Sequence, residues 1–221
     1  MNRQKTPAQP VEWMRERALE VGLGAAYVAF GLTFRGPPRQ FWNRMTATGL
    51  ALGSFALATE DELRRLHVAP KDVAVGLGSA AVLYGIFVVG DKLARRIMPR
   101  GGSEIAQIYD LSTLGQRLEL GARLALIIGP AEELFWRGLV QKRLAARYGR
   151  WWGALLGTLA YGGAHIVTGN ATLLGAASVA GAFWGGLYAL DTPISALIIS
   201  HASWDVVTFL IAPIAPPSGA P

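Results

Sequence analysis

The sequence predicts an all-α fold: a polytopic membrane helix bundle of about seven or eight transmembrane helices, joined by interfacial helices and loops. Three observations carry this. Of 221 residues, 52% are hydrophobic and only 16% charged, where a soluble domain carries about a quarter charged residues. The mean hydropathy is positive, +0.31. Apolar runs approaching the roughly 20 residues needed to cross a bilayer alternate with segments that collect Lys, Arg and Pro.

Residues 1–20 read as a polar tail and an interfacial helix. Met1–Pro10 is polar, and Val11–Glu20 sets Trp13 and Met14 among Glu12, Arg15, Glu16, Arg17 and Glu20. Residues 21–123 supply N-terminal spans and surface loops. Val21–Phe34 is the first span; no short apolar core with a cleavage site precedes it, so it reads as uncleaved. Arg35 to Arg39, with Pro37 and Pro38, turns the chain. Phe41–Ala58 is a Gly-rich second span. Thr59–Asp72, the most polar stretch, is a solvated loop or interfacial helix carrying His67 as a surface histidine. Val73–Val89 is the third span, and Asp91–Arg123, with Lys92, Arg95, Arg96 and Arg100, is a surface segment. Residues 124–211 hold four more spans: Leu124–Ala145, Trp151–Thr168, Ala171–Leu190 and Pro193–Ile211. A Pro-rich flexible tail, 212–221, closes the chain. Gly49/Gly53, Gly153/Gly157 and Gly181/Gly185 place small residues four apart. Such pairs let helices approach closely, or they arise by chance in a chain with 27 Gly.

The net charge of +6, from 21 Lys and Arg against 15 acids, does not mark a nucleic-acid binder. The basic residues flank apolar runs, and no basic face interleaved with aromatics and no zinc-finger spacing occurs. Cys is absent, which removes disulfides, thiolate ligands and a Cys nucleophile together. The bias of Lys and Arg between alternate loops is too small to orient the chain.

From Trp151 onward there is no Lys or Arg, yet His165, His201 and Asp205 stand inside apolar runs, as do Glu132, Glu133 and Arg137. Each ionisable group at mid-bilayer costs at least ~2.5–3.5 kcal/mol on insertion scales, so each marks a functional site by default. Glu133 and Arg137, i and i+4 with Glu first, suit a structural ion pair. Glu132 is turned about 100° away from that pair. Tyr161 and His165 share a helix face at i, i+4, and so do His201 and Asp205. Asp191 falls in a turn before Pro193 and needs no special role. Measured from the side where the fourth span ends, Glu132 lies about 20 Å deep, His165 about 21 Å, His201 about 12 Å and Asp205 about 18 Å. Three helices thus deliver acid and imidazole groups to overlapping layers of a roughly 30 Å core. Taken singly, each His also reads as a packing residue bonded to a backbone carbonyl, and Tyr161 as packing; the shared depth favours the functional reading.

The motifs then resemble a known family. Glu132-Glu133-Leu134-Phe135-Trp136-Arg137 resembles the EExxxR motif of the CPBP family, the CAAX-type prenyl endopeptidases and bacteriocin-processing proteins also called Abi. Tyr161 to His165 resembles its second motif, an aromatic followed four residues later by His, and His201 to Asp205 its third, HxxxN or HxxxD. The matched region is about Gly129–Val206. The resemblance implies an integral, multi-pass protease of the cell (plasma) membrane that meets membrane lipid and cleaves a membrane-embedded or lipidated peptide. It implies a glutamate-type hydrolysis without cofactor. Glu132 is the base, His165 orients the water or Glu132, and His201 with its partner at 205 faces the oxyanion; Glu133, Arg137 and Tyr161 support them. Asp205 stands where prenyl endopeptidases carry Asn, and an ionised Asp accepts hydrogen bonds only.

Other readings stay open on the residues alone. A metal-dependent version would bind Zn or a similar ion through Glu132, His165 and His201. A non-catalytic membrane scaffold or immunity-type protein would use the cluster as an internal network. A proton or ion path lacks the inverted repeat typical of transporters.

Overall fold

The computed structural model describes residues 10–98, 100–113 and 116–215. Of the expected tails, 1–9 and 216–221 lie outside the described residues. Among the described residues the chain is helical without strands. The elements are α1 (Pro10–Glu16), α2 (Ala18–Phe34), α3 (Phe41–Thr59), α4 (Pro70–Ile97), α5 (Gly101–Asp110), α6 (Arg117–Arg123), α7 (Gly129–Phe135), α8 (Lys142–Tyr148), α9 (Arg150–Ala164), α10 (Ala171–Ala189) and α11 (Ile194–Val206). Helices predominate because a chain that leaves water must satisfy every backbone group within its own segment. Among the described residues, three helices are long and apolar enough to cross a membrane: Pro70–Ile97, Ala171–Ala189 and Ile194–Ile211. Ala18–Phe34 is apolar but shorter, at 17 residues.

The surface inverts the pattern of a water-soluble bundle. Val82, Val89 and Leu93 on α4, Leu32 on α2 and Ile211 after α11 are all more than half exposed, while Glu133, Arg137 and His201 are buried. Tyr148, Trp151 and Trp152 are exposed where α8 hands over to α9, beside Arg147 and Arg150, a composition suited to the headgroup layer.

Several spans depart from the lengths the sequence suggests. The third runs from Pro70, whose missing N–H is harmless in the first helical turn, to Ile97, well past Val89. The fourth lies within one continuous helical path over 117–148, in which π segments at Leu124–Ile128 and Trp136–Gln141 flank α7. The fifth stops at Ala164 rather than Thr168: Gly162 and Gly163 weaken the last turn, a 3-10 turn covers Ile166–Thr168, and Gly169 at φ +66° ends it. His165 therefore sits at a helix terminus, not within a span. The segment 91–123, expected on the surface, is divided among the end of α4, α5 and α6. In α5, Ile105 and Tyr109 are buried against Ala94, Phe209, Ile214 and Ala215. Asp191 lies in the expected turn, at φ +62°, and pairs with Arg150.

The two ends of the bundle are tied differently. At the end where α3 stops and α9 begins, buried Glu60 accepts from Lys142 and Arg143, both at 2.5 Å, and Arg143 also donates to the Arg15 carbonyl. At the other end the Glu104 carboxylate accepts from the Thr172 amide and hydroxyl at 2.8 and 2.7 Å, and the Glu104 carbonyl accepts from Asn170. α4 and α11 run side by side, joined by Ser195 donating to Asp72 at 2.7 Å and by the Ser79–Ser200 hydroxyl pair at 2.9 Å.

Close approach is required at Gly53 and Gly129. A Cβ on Gly53 would sit 3.0 Å from the Ala131 Cβ, and one on Gly129 would sit 3.1 Å from the Ala202 Cα. These two contacts press α3 and α11 against α7, so Gly53 serves the helix approach that its spacing from Gly49 suggested.

Candidate functional site

Two adjacent carboxylates on α7 look in different directions, as a 100° step per residue requires. Glu133 is fully buried. Its Oε1 accepts from Arg137 NH1 at 2.8 Å, closing the expected i, i+4 ion pair. The same oxygen accepts from His201 Nδ1 at 2.7 Å, a tie between α7 and α11 that no sequence spacing indicated. Arg137 is enclosed further: its guanidinium lies 5.0 Å from the Tyr161 ring centroid and 5.5 Å from that of Trp184, within cation–π range.

Glu132 faces the other way. The Tyr161 hydroxyl donates to its Oε2 at 2.9 Å. Glu132 lines a cavity of about 500 Å³ together with Tyr161, His165, His201 and Asp205. The remaining walls are overwhelmingly carbon, contributed by α4, α5, α10 and the residues around Phe34 and Trp42. Every residue that the sequence reading placed in a catalytic role thus borders one space. Glu133 and Arg137 lie outside it, in the packed wall behind His201.

Hydrogen-bond chemistry assigns the imidazole protons. His165 Nδ1 is 2.9 Å from the Tyr161 carbonyl oxygen; a carbonyl only accepts, so Nδ1 carries the proton and Nε2 is left for another partner. His201 Nδ1 faces the Glu133 carboxylate and is protonated for the same reason. Its Nε2 lies 3.7 Å from Asp205 Oδ2, an ion-pair distance too long for a direct hydrogen bond. The ring of Trp184 stacks on His201, centroids 3.9 Å apart at 20°, and the Trp184 indole N–H donates to Ser200 at 3.0 Å. His165 is boxed by Phe30, Phe34 and Tyr161, with centroids 5.1–5.6 Å away. Trp184, Phe30 and Phe34 fix the two imidazoles, yet in sequence they are aromatics in apolar runs like many others.

The metal-binding alternative finds no assembled donor set. The expected ligands Glu132, His165 and His201 direct their bonded atoms to Tyr161, to the Tyr161 carbonyl and to Glu133 respectively. Among the described residues, no group of three or more His, Cys, Asp or Glu side chains is placed to hold an ion.

Residues 116–207 match a family described as type II CAAX prenyl endopeptidase Rce1-like. The matched stretch spans α6 to α11 and includes Glu132, Tyr161, His165, His201 and Asp205. No curated protein and no solved structure gives a significant match to the chain.

Proposed function

We propose that this chain hydrolyses a peptide bond of a membrane-embedded or lipidated substrate, with Glu132 as the base, because residues 116–207 match the Rce1-like type II CAAX prenyl endopeptidase family. The observation that carries the assignment is the placement of Glu132: a carboxylate at the border of an apolar cavity, held by one hydroxyl, with two imidazoles bordering the same space. The working unit is residues 124–211, and the N-terminal spans within 21–123 complete the cavity wall.

The chemistry follows from these groups. A water between Glu132 and the scissile carbonyl gives its proton to Glu132 as its oxygen adds to the carbonyl carbon. Nε2 of His165, with Nδ1 fixed by the Tyr161 carbonyl, holds that water in line. The oxyanion develops towards the imidazole of His201, which Glu133 orients through Nδ1 and Asp205 flanks at 3.7 Å from Nε2. Glu132 then returns its proton to the departing amine as the C–N bond breaks, so base and acid are one residue. Tyr161 fixes the carboxylate, and Arg137 holds Glu133 in place through their ion pair. The carbon-lined walls suit an apolar or lipid-bearing peptide and exclude competing water. The cell membrane is the site of action.

Two measurements test this reading. The purified protein in liposomes should cleave a farnesylated peptide carrying a C-terminal tripeptide, and the same peptide without its lipid more slowly. A proteomic comparison of membranes from cells holding the wild-type chain or Glu132→Ala should show one or more proteins shortened only with the wild type. Identical proteomes, with both chains inserted and expressed, would overturn the assignment.

A further inference from the structure

Hydrolysis of the kind just proposed needs hydrogen-bond donors aimed at the substrate's carbonyl oxygens, and few donors around the cavity are uncommitted. Tyr161 gives its hydroxyl proton to Glu132, His165 gives Nδ1–H to a backbone carbonyl, and His201 gives Nδ1–H to Glu133. The side chains of Trp204 and Thr208 border the same cavity. Trp204 Nε1 and Thr208 Oγ1 are both buried and have no hydrogen-bond partner among the described residues.

Thr208 is 2% exposed. A helical Thr or Ser out of reach of water ordinarily turns its hydroxyl back to the carbonyl four residues earlier. Thr46, Thr59 and Ser178 do this here, at 2.7–2.8 Å. Thr208 does not. It lies in the π segment Val207–Ile211, one turn beyond Asp205. π segments inside helices are often found at functional sites. A buried hydroxyl left without a partner lowers stability, so its retention calls for a partner that arrives from outside the chain.

Resting on the protease reading, we infer that the Thr208 hydroxyl, seconded by the Trp204 indole N–H, donates hydrogen bonds to main-chain carbonyl oxygens of the bound substrate. It thereby supplies a further donor at the reacting peptide. Trp204 is well placed to assist because it stands four residues before Thr208 on the same helix face, propped by Phe87 at 4.7 Å and Trp184 at 5.9 Å between ring centroids.

The test uses the full chain in liposomes with a farnesylated quenched-fluorescent peptide, and compares wild type, Thr208→Val, Thr208→Ser, Thr208→Ala, Trp204→Phe and Glu132→Gln. Thr208→Val keeps the shape and removes the hydroxyl. It should lower kcat by about 100-fold, the cost typical of a lost oxyanion donor, while the melting temperature holds or rises. Thr208→Ser should recover most of the rate, and Trp204→Phe should lose about tenfold. A melting temperature unchanged with kcat also unchanged in Thr208→Val would overturn the inference. Should Thr208→Val not fold, equal rates for Thr208→Ser and Thr208→Ala would overturn it in the same way. Glu132→Gln separates the levels: cleavage by that variant defeats the assignment of Glu132 as the base, and none by the wild type defeats the protease reading itself. Loss of activity there with a fully active Thr208→Val defeats only the Thr208 assignment.

Discussion

Glu132 and Glu133 are neighbours in sequence and opposites in environment. Glu133 points into packed protein, fully buried, with one oxygen shared by Arg137 and His201. Glu132 borders a cavity of about 500 Å³ and, among the described residues, is held by a single tyrosine hydroxyl. Burial is nearly equal, 0% against 7%, so burial does not separate the two roles. What separates them is the number of committed partners and the presence of open space. A carboxylate that two donors claim is a strut; one with a lone pair facing a cavity is available to a water.

The largest expected effect lies on the strut side. Glu133→Gln strands Arg137 in a site that is 2% exposed. Breaking a buried pair from one side costs about 3–5 kcal/mol, so folded yield and melting temperature should drop sharply. The double variant Glu133→Gln with Arg137→Met should regain much of the lost stability while leaving His201 without its orienter. A stable Glu133→Gln would break the distinction drawn here.

Asp205→Asn comes next. The carboxyl group lies 3.7 Å from His201 Nε2, close enough to position the imidazole that faces the oxyanion. Its removal should lower kcat by about tenfold or more with KM little changed, because oxyanion stabilisation is realised in the transition state. A rate unchanged across pH 5–9 would instead make residue 205 a neutral donor.

Much of the site was legible because ionisable residues in apolar runs are conspicuous and the helical rise is constant. Counting rises brought Glu132, His165, His201 and Asp205 to overlapping depths, and all four border one cavity. The i, i+4 rule gave the Glu133–Arg137 pair directly. The link from Glu133 to His201 was not legible, since it depends on how α7 and α11 are rotated about their axes. The two π segments beside α7 reset that rotation locally. Nor was the contribution of α5, whose alternation of polar Ser103 and Gln107 with Ile105 and Tyr109 reads as surface until Phe209 and Ala215 are brought against it. His165 was placed within a span because hydropathy continues through Ile166 and Val167, whereas the glycines before it end the helix.

The smallest effect concerns that cavity wall. The Thr172 hydroxyl and amide hold the Glu104 carboxyl below its ordinary value of 4.5. A depressed carboxylate pKa contributes stability that is present above the ordinary value and is lost as pH falls through the folded one. Hydrogen exchange in 101–110 should therefore quicken below about pH 4, after correction for the intrinsic pH dependence of exchange. Glu104→Gln should show the faster exchange already at pH 7, with little change in the melting temperature. Exchange in 101–110 that is indifferent to both would separate α5 from this contact.

The central claim, that the two carboxylates divide chemistry from structure, is tested most directly by measuring kcat and melting temperature together for Glu132→Gln and Glu133→Gln in the same liposome preparation. The account predicts a crossed result: Glu132→Gln inactive with a near-wild-type melting temperature, Glu133→Gln strongly destabilised. A well-folded Glu132→Gln that cleaves at the wild-type rate, or a Glu133→Gln as stable as the wild type, would contradict it.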